Sequence, residues 1–232
     1  MITEADILYE DNHILIVNKP PCIPTQSDDS GDPSLDSLVK DFIKQKYNKP
    51  GDVYVGLIHR IDRPVSGIVL FAKTSKAAAR LSDNFVTRDI HKTYYAIVEK
   101  MPPATEGTLT DYLWKEKKEN RSYCFNREKP GSKWAQLHYK LIAQTDKLFL
   151  LEINPVTGRS HQIRAQLSNI HCPIVGDAKY GSKLPLRDRD ICLLAAKITF
   201  SHPVKKEPMT MHSLIPKNKF WDRFDLKAQF EK

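Results

Sequence analysis

Two short stretches of this chain gather side chains able to do chemistry. The first, His59-Arg60-Ile61-Asp62-Arg63, sets one carboxylate between two guanidiniums and lies between the apolar stretches Val53 to Leu57 and Gly67 to Ala72. Opposite charges nearby favour the ionised form of a carboxyl group. The stretch is then either a buried, permanently charged nucleophile or base at the mouth of a sheet, or a solvated turn with ordinary salt bridges. The second is Thr157-Gly158-Arg159-Ser160-His161-Gln162-Ile163-Arg164. A helix over 160–170, capped by Ser160 and turning ~100° per residue, puts His161, Arg164 and Ser168 on one face and Ile163, Leu167 and Ile170 on the other. That is either an anion or carboxylate site, offering imidazole, guanidinium and free helix N–H groups together, or the polar face of a surface helix.

Other chemistries lack their signatures. No G-x-x-x-x-G-K-[ST], G-x-G-x-x-G or G-x-S-x-G occurs. The eight histidines never form H-E-x-x-H, and the contiguous pair His171-Cys172 is poor geometry for zinc, so no metal and no cofactor are expected. Cys22, Cys124, Cys172 and Cys192 show no C-x-x-C spacing, which fits a reducing cytoplasm. The acidic start Met1-Ile2-Thr3-Glu4-Ala5-Asp6 is no signal peptide, and no apolar run approaches the ~18 residues of a membrane span. Lys plus Arg number 36 against 28 Asp plus Glu, a net charge of +8 over 232 residues, which favours a polyanionic partner, nucleic acid first.

Several elements must position these residues. Ile7-Leu8-Tyr9 and Ile14-Leu15-Ile16-Val17 flank Asp11-Asn12 and read as a hairpin. Lys19 to Pro33 is a loop with four prolines. Leu35, Leu38, Val39, Phe42, Ile43 and Tyr47 follow helical spacing over 34–47, with Asp32-Pro33 suited to its start. Strands are expected over 53–57, 67–72 and 91–99, the last with Tyr94, Ala96 and Val98 on one side. A helix is expected over 75–86, with Leu81 and Phe85 inward, and three or four antiparallel strands over 107–154. Strands follow over 191–200 and 209–214, and a terminal helix over 219–230. Strands dominate without strict alternation, so the expected class is α+β: a mixed, mainly antiparallel sheet with flanking helices.

Taken in order, the motifs resemble those of the RluA-type pseudouridine synthases. His59-Arg60-Ile61-Asp62-Arg63-Pro64-Val65-Ser66-Gly67 resembles H-R-L-D-x-x-T-S-G. Val17-Asn18-Lys19-Pro20 resembles the family's opening segment, and Lys92-Thr93-Tyr94-Tyr95-Ala96-Ile97-Val98 resembles K-x-Y-x-A-x-V. Pro155 to Gly181 resembles T-G-R-[ST]-H-Q-[IL]-R…H-P-I-x-G-D-x-x-Y-G, and Ala195 to Pro203 the closing segment. The chain departs from the pattern at Cys22, where glycine is usual, at Val65 for Thr, and at Gln166 and Leu194 for His.

The resemblance implies a single catalytic domain over 1–232, two lobes sharing one sheet with a basic cleft, and no separate N-terminal RNA-binding domain. It implies isomerisation of an RNA uridine to pseudouridine, with Asp62 as the catalytic aspartate, Arg164 as its positive partner and Tyr94 stacking on a flipped uracil. His59, Arg60, Arg159 and His161 are the implied RNA or substrate contacts. The implied partner is large-subunit ribosomal or transfer RNA, and the implied state a cytoplasmic monomer with no membrane association. Two further readings stand beside it. A non-catalytic RNA-binding protein on the same fold would show RNA binding without pseudouridine. A basic hydrolase of phosphorylated small molecules lacks its usual signatures.

Overall fold

The computed structural model describes residues 2–87, 89–186 and 190–226. The class is α+β, with a mainly antiparallel sheet and, among the described residues, three α-helices. The chain forms two compact units, Met1–Lys92 with Ala195–Leu214, and Thr93–Leu194 with Ile215–Lys232.

In the first unit, β1 (Ile7–Glu10) and β2 (Ile14–Lys19) form the expected hairpin. Asp11 makes the turn, its Oδ1 accepting from the N–H groups of His13 at 2.7 Å and Ile14 at 2.9 Å. β2 pairs antiparallel with β4 (Ser66–Ala72), in a register that sets Lys19 opposite Gly67. β10 (Leu193–Ser201) lies next to β4, and β11 (Pro208–His212) pairs with β10. Alternation sends Ile14 and Ile16, Ile68 and Leu70, and Ile198 and Phe200 into one cluster, where Ala77 and Leu81 of α2 (Ser75–Val86) join them. Leu15, Val17, Val69 and Phe71, at the alternate positions, are equally buried, so the central strands read as continuous apolar runs.

Three local expectations change. The strand expected over 53–57 is only β3 (Gly56–Leu57), where pairing with Ala72 and Phe71 begins. The helix expected over 34–47 is α1 (Leu35–Lys46), and Ser34, not Asp32, sits at its N-cap. Asp32 is drawn away by an ion pair with Arg63. The terminal helix is absent from 219–226 apart from a 3₁₀ turn at Trp221–Arg223. Asn218 Oδ1 accepts from the N–H groups of Phe220 and Trp221, a local bond that competes with helix continuation; residues 227–230 lie outside the described residues.

In the second unit the order is β5 (His91–Val98), β9 (Phe149–Pro155), β8 (Lys133–Gln144), β6 (Glu106–Glu116), β7 (Arg121–Phe125), every pair antiparallel. The four strands β6 to β9 answer the expectation for 107–154. α3 (Gln162–Asn169) packs on β6 and β7, with Ala165 meeting Leu113 and Ala135. Buried residues cover both its sides: Gln162, Ile163, Arg164, Ala165, Gln166 and Leu167. The outward polar face expected there is therefore a second buried face.

Gly67 has the least room for a side chain of the glycines in the first unit. Its φ is +113°, and a Cβ there would lie 2.3 Å from the carbonyl oxygen of Ala195 on β10. Gly67→Ala should destabilise the protein by about 3 kcal/mol, combining backbone strain with overpacking. Urea unfolding checks this as a lowered midpoint at unchanged slope.

Candidate active site

In the first unit, His59, Arg60 and Asp62 share the segment leading into β4. Asp62 is half-buried at a turn closed by Val65 N–H donating to Asp62 C=O at 3.0 Å. The turn is held by the proline-rich loop from several sides. Lys19, wholly buried, donates from Nζ to the carbonyls of Pro20 at 2.9 Å, Ile23 at 2.8 Å and Arg63 at 3.0 Å. Thr25 Oγ1 donates to Ile61 C=O at 2.7 Å and accepts from Ile61 N–H at 3.3 Å. Cys22 N–H donates to Arg63 C=O at 2.9 Å. The Arg63 side chain returns to the same loop, with Nε on Cys22 C=O at 3.1 Å, one Nη on Ser30 Oγ at 3.0 Å and the other on Asp32. Of the residues flanking Asp62, Ile61 is thus fastened through its backbone and Arg63 through backbone and side chain alike.

This explains one departure from the motif. Cys22 has φ +67°, the left-handed region where glycine is at ease. Cysteine takes that conformation at a cost of about 1 kcal/mol, while both its backbone groups bind Arg63. Gln166 also has a defined task, donating from Nε2 to Asp111 Oδ2 at 2.7 Å beside Asn169 Nδ2 on Oδ1 at 3.2 Å. Val65 and Leu194 are buried core residues.

His59 Nε2 accepts from Leu70 N–H at 3.2 Å. Burial, with the Lys92 ammonium adding to it, pushes the imidazole down to about 3, so it is neutral at pH 7. Burial also lowers the Lys92 ammonium below the ordinary lysine value. Arg60 is exposed.

In the second unit, Tyr94 lies on β5, buried and opposite Ile153 of β9. Arg164 and His161 converge on Tyr180. Arg164 forms a buried fork with Asp177, Nε to Oδ2 at 2.7 Å and Nη2 to Oδ1 at 2.9 Å, with side-chain exposures of 6% and 1%. Its Cζ stands 4.9 Å from the Tyr180 ring centre. His161 Nδ1 is 3.0 Å from Tyr180 Oη, with the rings edge to face. Ser122 N–H donates to the same hydroxyl at 2.8 Å, and Ser168 Oγ to Tyr180 C=O at 2.7 Å.

Ser160 is not the cap of this helix. His161 takes the N-cap position at φ +53°, which turns its ring inward to Tyr180. Ser160 C=O instead accepts from Ser122 Oγ at 2.7 Å. The start of the helix is also engaged internally: Gln162 N–H donates to Arg159 C=O at 3.1 Å, and Gln162 Oε1 accepts from Arg159 N–H at 3.0 Å and Thr157 Oγ1 at 2.7 Å. Arg159 itself is exposed, with Nε on Trp134 C=O at 3.0 Å, and does not join the Tyr180 group. Asp177, Tyr180, Lys19 and Thr25 are the positioning residues that spacing alone misses. The first two stand in the D-x-x-Y-G stretch and Lys19 in Val17-Asn18-Lys19-Pro20, but neither stretch reveals their bonding partners. Among the described residues no group of three His, Cys, Asp or Glu could hold a metal, and no helix is long and apolar enough to cross a membrane.

A family model described as RNA pseudouridylate synthase matches residues 13–169. The chain is 33% identical over 217 residues to the uncharacterised RNA pseudouridine synthase YhcT of Bacillus subtilis (strain 168), covering 92% of this chain and 69% of that protein. It is 35% identical over 178 residues to ribosomal large subunit pseudouridine synthase C of Rickettsia prowazekii (strain Madrid E), covering 76% and 56%. It is 30% identical over 229 residues to tRNA pseudouridine synthase C of Pectobacterium carotovorum subsp. carotovorum, covering 91% and 59%. The chain thus spans only part of the length of each. In fold it is similar to human RNA pseudouridylate synthase domain containing 4, with TM-score 0.77 at 22% identity over 94% of this chain and 90% of that one.

Two outcomes follow from this geometry. Asp177→Asn removes the charge facing a buried guanidinium and should cost about 3 kcal/mol, seen as a lower thermal midpoint. For His59, the folded pKa lies below the unfolded 6.5, so the unfolded chain binds more protons below that value. Its contribution to stability is full above pH 6.5 and is lost progressively as pH falls toward about 3. Urea midpoints measured across that window should fall more steeply for the wild type than for His59→Gln.

Proposed function

The chain belongs to the RNA pseudouridylate synthase family, and on that premise we propose that it isomerises uridine to pseudouridine in RNA, with Asp62 as the catalytic aspartate. The observation that carries this reading is the fastened turn bearing Asp62 within His59-Arg60-Ile61-Asp62. A reacting carboxylate must be held in place before its substrate arrives, since positioning supplies much of catalytic power. The bonds from Lys19, Thr25, Cys22 and Arg63 supply that restraint.

The reaction breaks the bond between ribose C1′ and uracil N1, joins C1′ to C5, and releases the C5 hydrogen as a proton while N1 gains one. Atoms and electrons balance without oxidant, hydrolysis or energy source, so no cofactor is needed. Asp62 starts the process by attack or by proton removal. Tyr94, by its ring, stacks on the uracil, and by its hydroxyl helps remove the C5 proton. Arg164, its guanidinium plane fixed by Asp177, is the positive partner that the family resemblance implies for Asp62. A stacked uridine must be flipped out to react. Arg60 and Arg159, both exposed cations, are the RNA contacts this reading favours; His161, turned onto Tyr180, and neutral His59 support the site from within.

One relative is named for large-subunit ribosomal RNA and another for transfer RNA. The proposed substrate is RNA of one of these classes, met in the cytoplasm by a monomeric single catalytic domain. Pseudouridine maps from cells with and without the gene identify the site. With RNA tritiated at uridine C5, Asp62→Asn should release tritium at least ~10³-fold more slowly than the wild type. Tyr94→Phe should slow release while leaving RNA binding intact. Wild-type turnover by Asp62→Asn would remove Asp62 from its role.

A further inference from the structure

The hairpin of β6 and β7 carries a guanidinium that pairs with no carboxylate among the described residues. Arg121 opens β7, and its Cζ stands 5.2 Å from the centre of the Tyr123 ring and 5.1 Å from that of Tyr180. Its Nε is buried and has no hydrogen-bond partner. Two carboxylates lie near it without forming an ion pair with it. Glu116 lies directly across the hairpin from Arg121, yet its Oε1 accepts from Lys118 N–H at 3.1 Å. Glu119 takes the hydroxyl of Tyr123. Arg121 makes no salt bridge with either.

The surroundings add positive charge. Arg164 shares the Tyr180 ring with Arg121 at 4.9 Å, and its own charge is matched by Asp177. Lys179 is exposed, with Nζ fixed on the carbonyls of Glu119 at 3.0 Å and Asn120 at 3.2 Å. Lys115 is exposed on the facing strand, opposite Ser122. The Lys179 ammonium is lowered by burial and by the cations Arg164, Arg121 and Lys115, with Asp177 alone opposing, which agrees with an excess of positive charge here.

A buried donor left without an acceptor is costly. Contact with two tyrosine rings restrains the guanidinium, and a guanidinium donates in a planar fork that suits a phosphate oxygen pair. We propose that Arg121, packed against Tyr123 and Tyr180 and flanked by Lys179 and Lys115, is a binding site for a backbone phosphodiester of the RNA. This deepens the functional reading and rests on it only for the identity of the ligand.

The test separates binding from turnover. Affinity for a short fluorescent oligouridylate is measured against salt concentration for the wild type and Arg121→Gln. The substitution should weaken binding about tenfold and reduce the slope of log affinity against log salt by about 1. Unchanged affinity and slope overturn the proposal, whether or not the protein forms pseudouridine. A protein that binds through Arg121 and releases no tritium keeps this inference and loses the proposed reaction. Loss confined to inorganic phosphate binding, with the oligonucleotide unaffected, also overturns it. On the unsubstituted protein, phenylglyoxal labelling of Arg121 read by peptide mass should fall when oligouridylate is bound, and equal labelling would count against the site even if Arg121→Gln failed to fold.

Discussion

The arrangement around Asp62 depends on burying one ammonium group. Removing a charge from water costs several kcal/mol unless the interior replaces its hydration. Lys19 meets that demand with three carbonyl oxygens for its three N–H donors. Two belong to the loop that follows it, and the third belongs to Arg63, 44 residues further on. The same side chain therefore folds the proline-rich loop around itself and pins that loop to the residue after Asp62. Lys19 is in turn placed by pairing with Gly67, whose missing side chain lets β10 come close to β4. The order of events in space is core ladder first, buried lysine second, fastened turn third.

The second unit solves a similar problem with a different buried cation. Arg164 is enclosed with Asp177, and a two-pronged pair fixes the plane of the guanidinium as well as its position. Tyr180 is then gripped from four directions: by Ser122, His161 and Ser168 through hydrogen bonds, and by Arg164 across its ring. Each cation that positions something is paired or surrounded by carbonyls. That rule gives meaning to Arg121, which shares the ring and has no such partner.

Much of the fold was legible because its signals are local. The hairpin around Asp11, the spacing in α1 and α2, and the alternation in β5 to β9 each depend on neighbours within a few residues. The α3 segment shows where such reasoning stops. Its eight residues do have an apolar side, but the other side meets Tyr180 and Asp177, so the polar residues face protein and not water. Its cap departs from the Ser160 expectation for the same reason: His161, in contact with Tyr180, takes a left-handed conformation that Ser160 propensity cannot foresee. The pairs Lys19 with Arg63 and Arg164 with Asp177 join residues 44 and 13 positions apart, beyond any periodic signal. The glycine-like conformation of Cys22 was visible only as an odd residue in a familiar motif.

The net charge of +8 acquires a finer meaning from these particulars. A total excess of cations gives long-range attraction to a polyanion, but it does not say which cations meet it. Lys19 is buried among carbonyls, Arg164 is paired with Asp177, and Arg63 with Asp32. They add to the count without being available. Arg121, Lys115 and Lys179 differ in that none forms an ion pair with a carboxylate among the described residues, and two of them are held in place, Arg121 against its tyrosine rings and Lys179 by two carbonyls. A guanidinium held in place gives up less side-chain freedom on meeting its ligand than a free one does, so a few such groups contribute more to binding than the whole-chain sum implies.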